Sequence, residues 1–206
     1  MRILALDTCL AACSAAVIDG DRLLASASEP MMRGHQERLA LMVQEIMREA
    51  DLAFADLDRI GVTVGPGSFT GLRVGVAFAK GLSAALGKPC VGVGALEALA
   101  AERPGLVVAA VDARRDQVYV QAFRDGAALM EASALHADDA VTQITRLGSP
   151  DALVGTGAPL LAIAFPVAGR DDTAVPDPAV IARLSARTAT PVKPLYLRAP
   201  DAKLPA

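Results

Sequence analysis

The stretches "ILALDTCLAACSAAVIDGDRLLASAS", residues 3–28, and "LVVAAVDARRDQVYVQAFRDGAALMEAS", residues 106–133, share one pattern. Each begins with an apolar run that ends at an aspartate, passes through a short link into a second apolar run, and turns at Asp-Gly into a third. Asp7 precedes Asp19 by twelve residues, and Asp112 precedes Asp125 by thirteen. An Asp-Gly pair between two hydrophobic runs is typical of a β-hairpin. Each stretch is therefore predicted to form three strands.

Both stretches are followed by a strand that runs into a glycine turn: "VTVGPGSFTG" at 62–71 and "ALVGTGAPLL" at 152–161. This indicates an internal duplication, although Asp-Gly hairpins are common enough for coincidence to be the alternative. Two such halves resemble the ribonuclease H-like halves of the actin-like, sugar-kinase-like ATPase fold, an α/β fold with two subdomains. We expect subdomains at 1–104 and 105–206, with the last ~15 residues packing back on the first. The resemblance implies that the first hairpin of each half grips phosphate and that nucleotide lies between the halves.

The composition narrows the function. Of 206 residues 53% are hydrophobic and 3% aromatic, so the core is mostly Ala, Leu and Val. A net charge of −3 argues against unaided nucleic-acid binding, which needs a clustered basic surface. Asp7 interrupts the first apolar run too early for a signal peptide, and the uncharged window 152–169 contains too many glycines and prolines for a membrane helix. Three cysteines without metal-site spacing fit a reducing cytoplasmic setting.

The glycine-rich stretch "TVGPGSFTGLRVGVAFAKG", residues 63–81, matches no standard phosphate or nucleophile motif. No Gly-Lys-Ser/Thr follows, the glycine spacing differs from the dinucleotide fingerprint, and Pro66 stands where a nucleophile elbow needs glycine. What remains is a strand-to-helix turn, which either binds an anion with its amides or is capped by Ser68 or Thr70. The candidate anion or nucleotide residues are Asp7, Thr8, Gly65, Gly67, Ser68 and Thr70.

Two helices are candidates for a partner surface. Residues 35–50 carry an apolar stripe at helical spacing, and the helix after the glycine turn has a row of small residues every fourth position, from Gly71 to Ser83. Such a row lets another backbone approach closely. The alternative is that the second helix packs one side on the sheet and that the chain's own helix at 35–50 covers its other side. The candidate interface residues are His35, Leu39, Met42, Val43, Ile46, Gly71, Arg73, Gly75, Phe78, Ala79 and Leu82.

Other functions find less support. A metal-binding His-x-x-x-His helix is incomplete because position 39 is leucine, so neither a metal site nor a metalloprotease is predicted. The second-half link "DARRD" is too bulky for an amide cradle around phosphate, although its arginines could contact anions. An actin-like small-molecule kinase or ATPase, using Asp7, Thr8 and the turn at 155–158, remains the alternative to a binding role.

Five segments resemble the TsaB family, formerly called YeaZ, across nearly the whole chain: "LALDT" at 4–8, "HQERL" at 35–39, "GPGSFTGLRVG" at 65–75, "VDARRDQVY" at 111–119 and "PLYLRAPDA" at 194–202. The family is similar in fold to actin-like ATPases and is paralogous to TsaD, which transfers threonylcarbamoyl to the adenosine beside the tRNA anticodon.

The resemblance implies a non-catalytic scaffold subunit that binds TsaD through its first two long helices. It implies that the ATPase TsaE joins the pair, and that the subunit alone forms homodimers through the same helices. No cofactor of its own is expected; ATP or ADP at the interface with TsaD, near Ser68 and Thr70, is a further expectation. Given the acidic composition, tRNA is expected to be contacted only through the assembled complex.

Overall fold

The computed structural model describes residues 1–198. Its first half is built on a five-stranded sheet in the order β3-β2-β1-β4-β5. β1, β2 and β3 are antiparallel neighbours, whereas β4 and β5 run parallel to β1. The strands span Arg2–Asp7 (β1), Ala12–Asp19 (β2), Arg22–Pro30 (β3), Arg59–Thr63 (β4) and Cys90–Val93 (β5).

The second half repeats this arrangement in a sheet of order β11-β10-β6-β7-β8, with β9 also pairing with β7. Its first two strands, β6 and β7, again form an antiparallel hairpin, and β10 and β11 run parallel to β6. The strands span Leu106–Arg114 (β6), Gln117–Arg124 (β7), Ala127–Ala128 (β8), Ser133–His136 (β9), Ala152–Val154 (β10) and Gly169–Asp171 (β11).

Helices cover both sheets. They span His35–Glu49 (α1), Phe69–Leu86 (α2), Ala95–Ala100 (α3), Ala137–Leu147 (α4), Ala158–Ala162 (α5) and Pro178–Arg187 (α6). Leu4 and Leu6 of β1 point into a core shared with α1, whereas Ile3 and Ala5 pack with α6. A strand buried on both faces explains why its sequence is apolar throughout instead of alternating. Within residues 1–198 no helix is long and apolar enough to span a bilayer.

The duplication extends to individual hydrogen bonds. Asp7 Oδ1 accepts a bond from the amide of Cys9 at 2.9 Å, and Asp112 Oδ1 accepts one from the amide of Arg114 at 2.7 Å. Each aspartate thus closes the same tight turn two residues onward, at the end of the first strand of its half. The repeated topology confirms the prediction of an actin-like fold with two duplicated halves.

The last described part of the chain returns to the first half. α6 packs on the first sheet, and Gly92 N then donates to Thr190 O at 2.8 Å and Leu195 N to Val64 O at 2.7 Å. The boundary expected at 104/105 assigns α6 to the second half, whereas both α6 and the tail lie on the first sheet. The expectation for the tail concerned residues from about 192 onward, of which 199–206 lie outside the described residues.

Candidate functional site

The end of β1 is a buried polar cluster formed by Asp7, Cys9 and Thr63. Thr63 Oγ1 donates to Asp7 Oδ1 at 2.5 Å, and Cys9 Sγ donates to Thr63 Oγ1 at 3.0 Å. Burial raises the pKa of the Asp7 carboxyl and lifts the pKa of the Cys9 thiol well above its ordinary value. Cys9 is therefore a neutral thiol at pH 7 and a poor nucleophile.

The glycine turn before α2 docks on the end of β1. Thr8 Oγ1 donates to Gly71 O at 2.7 Å, and the amide of Ser68 donates to Cys9 O at 2.7 Å. A Cβ on Gly67 would collide with Cys9 O, so only glycine allows the two backbones to meet. This close contact gives the turn a structural use.

Helix capping explains Ser68, one of the two alternatives that the sequence leaves open. Ser68 Oγ accepts from the amide of Gly71 at 3.3 Å, at the start of α2. The side chain of Ser68 and that of Thr70 are exposed, whereas Asp7, Thr8 and Gly65 are buried. The six candidate anion residues are thus neighbours, but the hydroxyl of Thr8 and the amide of Ser68 already donate within the chain.

The second half docks its own glycine turn in the same way. The amide of Gly157 donates to Ala110 O at 2.9 Å, and a Cβ on Gly155 would collide with that carbonyl oxygen. Here, however, the aspartate is exposed: Asp112 lies at the cleft between the halves, and its amide donates to Thr156 Oγ1 at 3.1 Å. The two duplicated turns therefore differ in burial although they share a backbone design.

The cleft between the halves has a volume of about 540 Å³. It is lined by the ends of both first strands, the glycine turn and the returning tail. Arg198 Nη1 donates to Ala113 O at 2.6 Å, so the tail ties one half to the other. Leu195 and Tyr196 of the tail line this cleft.

Most of the predicted interface residues on α1 are buried inside the chain. Leu39, Met42, Val43 and Ile46 are at most 1% exposed and belong to the core under the first sheet. His35 is also buried. Within the chain this apolar stripe covers β2 and β3, and the part of these residues in a partner surface stays a prediction.

The row of small residues on α2 also faces inward. A Cβ on Gly71 would collide with Thr8 O, and a Cβ on Gly75 would lie 2.5 Å from Thr8 Oγ1. Ala79 is fully buried in the first core. The close approach that this row permits is to the end of β1, so Gly71, Gly75 and Ala79 are not surface residues for a partner.

The outward face of α2 carries a second set of small residues that the sequence reasoning missed. Ala77, Gly81 and Ala85 are exposed, and a Cβ on Gly81 would meet nothing within 4 Å. Arg73 is exposed on the same side, while the predicted Phe78 and Leu82 are half-buried beside it. The spacing of this outward set can be read from the sequence. Because both rows repeat every four residues, the spacing does not show which row faces the core.

A groove of about 500 Å³ lies between α1 and α2. Its walls are mostly apolar, with Val74, Ala77 and Phe78 from α2 facing Gln36 and Leu39 of α1. Phe69, Thr70 and Arg73 close its end near the glycine turn. Leu41, on the outer side of α1, is 55% exposed. Two helices that the sequence singled out therefore do share a surface, made from other residues than most of those expected.

His35 has no metal-binding partners nearby. In the described part of the chain, no three histidine, cysteine, aspartate or glutamate side chains lie close enough together to hold a metal ion. His35 Nε2 is buried without a hydrogen-bond partner, as is Asp7 Oδ2. His35 is near enough to Asp7 to oppose the rise in the pKa of that carboxyl, and His136 lies in the other half.

Residues 27–182 match the family model described as "TsaD: tRNA N6-adenosine threonylcarbamoyltransferase". The chain is 37% identical over 134 residues to the tRNA threonylcarbamoyladenosine biosynthesis protein TsaB of Bacillus subtilis, covering 64% of this chain and 58% of that protein. It is 38% identical over 124 residues to TsaB of Escherichia coli, covering 58% and 53%. The chain belongs to the TsaD family, and its named relatives support a TsaB assignment.

Solved structures agree with this membership. YeaZ from Pseudomonas aeruginosa superposes with a TM-score of 0.73 at 27% identity, covering 95% of this chain and 99% of that one. A hexokinase of the ROK type from Thermus thermophilus, with a TM-score of 0.50 at 16% identity over 90% and 98% of the chains, shares the fold alone. An uncharacterised Mycobacterium leprae protein is 36% identical over 98% of this chain, which spans 56% of that protein's length.

Asp7→Asn is expected to stabilise the fold at pH 8 and to remove part of its pH dependence. The folded-state pKa of Asp7 is raised above 3.8, chiefly by burial, so ionisation costs stability as the pH rises from about 4 through that raised pKa. Asparagine stays neutral and keeps the oxygen that accepts from Cys9 and Thr63. We expect a melting temperature at least about 2 °C higher, the shift that ~1 kcal/mol produces in a chain of this size.

Thermal unfolding of Asp7→Asn at pH 4 and pH 8 checks this expectation, with the exposed Asp21→Asn as the matched control. The gain should shrink at pH 4, because the raised pKa of Asp7 leaves less of the wild-type carboxyl ionised in the folded chain there than at pH 8. A gain of the same size at both pH values, or a loss at pH 8, would contradict the burial argument.

Proposed function

We propose that this chain is a non-catalytic scaffold subunit in tRNA threonylcarbamoyladenosine biosynthesis, and that it binds TsaD through the outer faces of α1 and α2. The TsaB assignment supports a role in this pathway, because the relatives from Bacillus subtilis and Escherichia coli are named as tRNA threonylcarbamoyladenosine biosynthesis proteins. The observation that carries the binding role is the apolar groove between α1 and α2, which is open at the surface of the chain.

The groove has the chemistry of a protein-binding surface. Its rim combines Arg73 and Gln36 with the apolar floor formed by Val74 and Phe78. The exposed Ala77 and Gly81 allow a partner helix to approach α2 closely, as the sequence predicts for the row from Gly71 to Ser83. An apolar centre with a polar rim is the usual anatomy of such an interface.

The end of β1 supports a non-catalytic role. Asp7 and Thr8 are the first-half residues that the ATPase alternative would use, and each is buried and hydrogen-bonded within the chain. The kinase or ATPase alternative would need Asp7 exposed to a nucleotide. In this structure Asp7 is fully buried behind the docked glycine turn.

The proposal extends to the assembly. TsaE joins the pair formed with TsaD, the chain alone forms homodimers through the same groove, and ATP or ADP binds at the TsaD interface close to Ser68 and Thr70. The setting is the cytoplasm, where tRNA is modified. The exposed hydroxyls of Ser68 and Thr70 lie directly beside the groove and are consistent with this placement.

Ala77→Arg is expected to weaken the binding of TsaD by about 30-fold or more, since it places a charged side chain at the centre of an apolar groove. Ala77 is exposed, so the fold should keep its circular dichroism spectrum and melting temperature. Isothermal titration calorimetry with purified TsaD measures the affinity. The exposed Gln143→Arg on α4 adds the same charge elsewhere and should bind normally. Equal affinities of the two variants would remove α2 from the interface.

A further inference from the structure

The mouth of the cleft gathers aromatic side chains in a chain that has few. The sequence contains two tyrosines and five phenylalanines. Tyr119 comes from the second half and Tyr196 from the returning tail, and both line the cleft together with Phe69 of α2. Three of the seven aromatic residues thus meet at one opening, although they are far apart in sequence.

Tyr196 is held in place while it remains exposed. Its ring lies 5.2 Å from the ring of Phe69, and its hydroxyl accepts a hydrogen bond from Arg73 Nε at 3.2 Å. The guanidinium of Arg73 lies over the Phe69 ring at 3.8 Å. Tyr196 is nevertheless 45% exposed. A fixed aromatic ring open to solvent is a surface on which a planar base can stack.

Two arginines lie at the same opening. Arg114 at the tip of the β6–β7 hairpin is exposed, and Arg198 is anchored one residue away by its bond to Ala113 O. Asp112 is the one acidic side chain among the residues that line the described cleft, and its Oδ1 accepts from the amide of Arg114. Guanidinium groups form strong, often bidentate hydrogen bonds with phosphate oxygens.

One backbone amide on each side of this cleft is already used within the chain. The amides of Ser68 and Gly157, at the ends of the two glycine turns, donate to carbonyl oxygens of the chain. The exposed Arg114 offers a side-chain contact on the rim, which fits single phosphates along a strand better than a cradled triphosphate.

We propose that the cleft mouth binds a single-stranded segment of RNA, with backbone phosphate on Arg114 and a base stacked on Tyr196. Arginine with exposed aromatic rings is the combination that recognises unpaired nucleotides. The proposal rests on the proposed function, because the RNA in that setting is tRNA. It departs from the expectation that tRNA is contacted only through the assembled complex.

Fluorescence anisotropy of a short fluorescein-labelled single-stranded RNA of mixed sequence, titrated with the full chain at low salt, tests this binding. Tyr196→Ala is expected to weaken binding about fivefold or more, the effect of losing one stacked base. Tyr196→Phe keeps the ring and should retain most of the affinity. Arg114→Ala should weaken binding and reduce the slope of log affinity against log salt by about 0.7, the value for one phosphate contact to a single strand.

Arg22→Ala is the matched charge control, because Arg22 is exposed at the opposite end of the first sheet. Melting temperatures verify that every variant is folded. Absence of RNA binding, equal affinities of Tyr196→Ala and Tyr196→Phe, or equal effects of Arg114→Ala and Arg22→Ala would each overturn the proposal. Displacement of the RNA by an equal concentration of AMP or ATP would overturn it in favour of a free nucleotide. Since TsaD is absent from this assay, its outcome is independent of the calorimetric test with Ala77→Arg.

Discussion

Gly71→Ala is expected to destabilise the chain by about 4 kcal/mol or more, beyond the ~1–3 kcal/mol usual for an overpacked core. A Cβ at this position collides with the backbone carbonyl of Thr8, and Thr8 Oγ1 also donates to Gly71 O. No side-chain rotation can relieve a collision with backbone, so α2 must move away from the end of β1. The expected result is a melting temperature lower by at least ~10 °C, or loss of soluble protein.

Gly81→Ala on the same helix provides the matched control. Gly81 is exposed, and a Cβ there meets nothing within 4 Å. Alanine in a helix interior is favoured over glycine by about 0.5–1 kcal/mol, so Gly81→Ala should melt slightly higher than the wild type. Thermal unfolding followed by circular dichroism compares the two variants. If Gly71→Ala melted at or above the wild-type temperature, α2 would not lie on β1 as described.

Gly61→Ala is expected to destabilise the chain by about 3 kcal/mol, and Ser185→Gly is expected to restore part of that loss. Gly61 of β4 lies directly beneath α6, and a Cβ there collides with Ser185 Oγ and lies 2.7 Å from Ser185 Cβ. The substitution Ser185→Gly removes both of these atoms. The nearest remaining atom, Ile181 O, is 4.0 Å away. This collision is therefore reversible by a second substitution, unlike that at Gly71.

The four unfolding free energies, from denaturant titrations of wild type, both single variants and the double variant, complete the cycle. Ser185→Gly alone should cost about 1 kcal/mol because glycine is unfavourable inside a helix. The double variant should be more stable than the sum of the two losses by ~1–3 kcal/mol. Strict additivity would mean that α6 does not pack on β4 through this pair of residues.

The hairpins and α1 could be predicted from sequence because their signals are local. Asp-Gly turns between apolar runs identify the hairpins, and the helical spacing of the apolar residues from Leu39 to Ile46 identifies α1 to within one residue at its end. α6 could also have been identified, since Asp177 caps its start and Pro178 follows at the first helical position. Its place on the first sheet has no such local signal.

The direction in which α2 faces could not be predicted, because both of its sides carry small residues at the same spacing. The contact that selects the inward side comes from Thr8, distant in sequence, through its bond to Gly71. For the same reason the apolar stripe on α1 predicts a contact surface but does not identify the element that packs against it. Periodicity gives the orientation of a side chain relative to its helix, and tertiary packing gives the partner of that side.

The return of α6 and the tail to the first sheet has a consequence for synthesis on the ribosome. All five strands of the first sheet are made before residue 94, but the helix that covers Ile3 and Ala5 is made only after the entire second sheet. The nascent first half therefore exposes one apolar face throughout translation of the second. The two halves consequently reach their final packing together once residues 178–195 emerge, instead of folding one after the other as independent domains do.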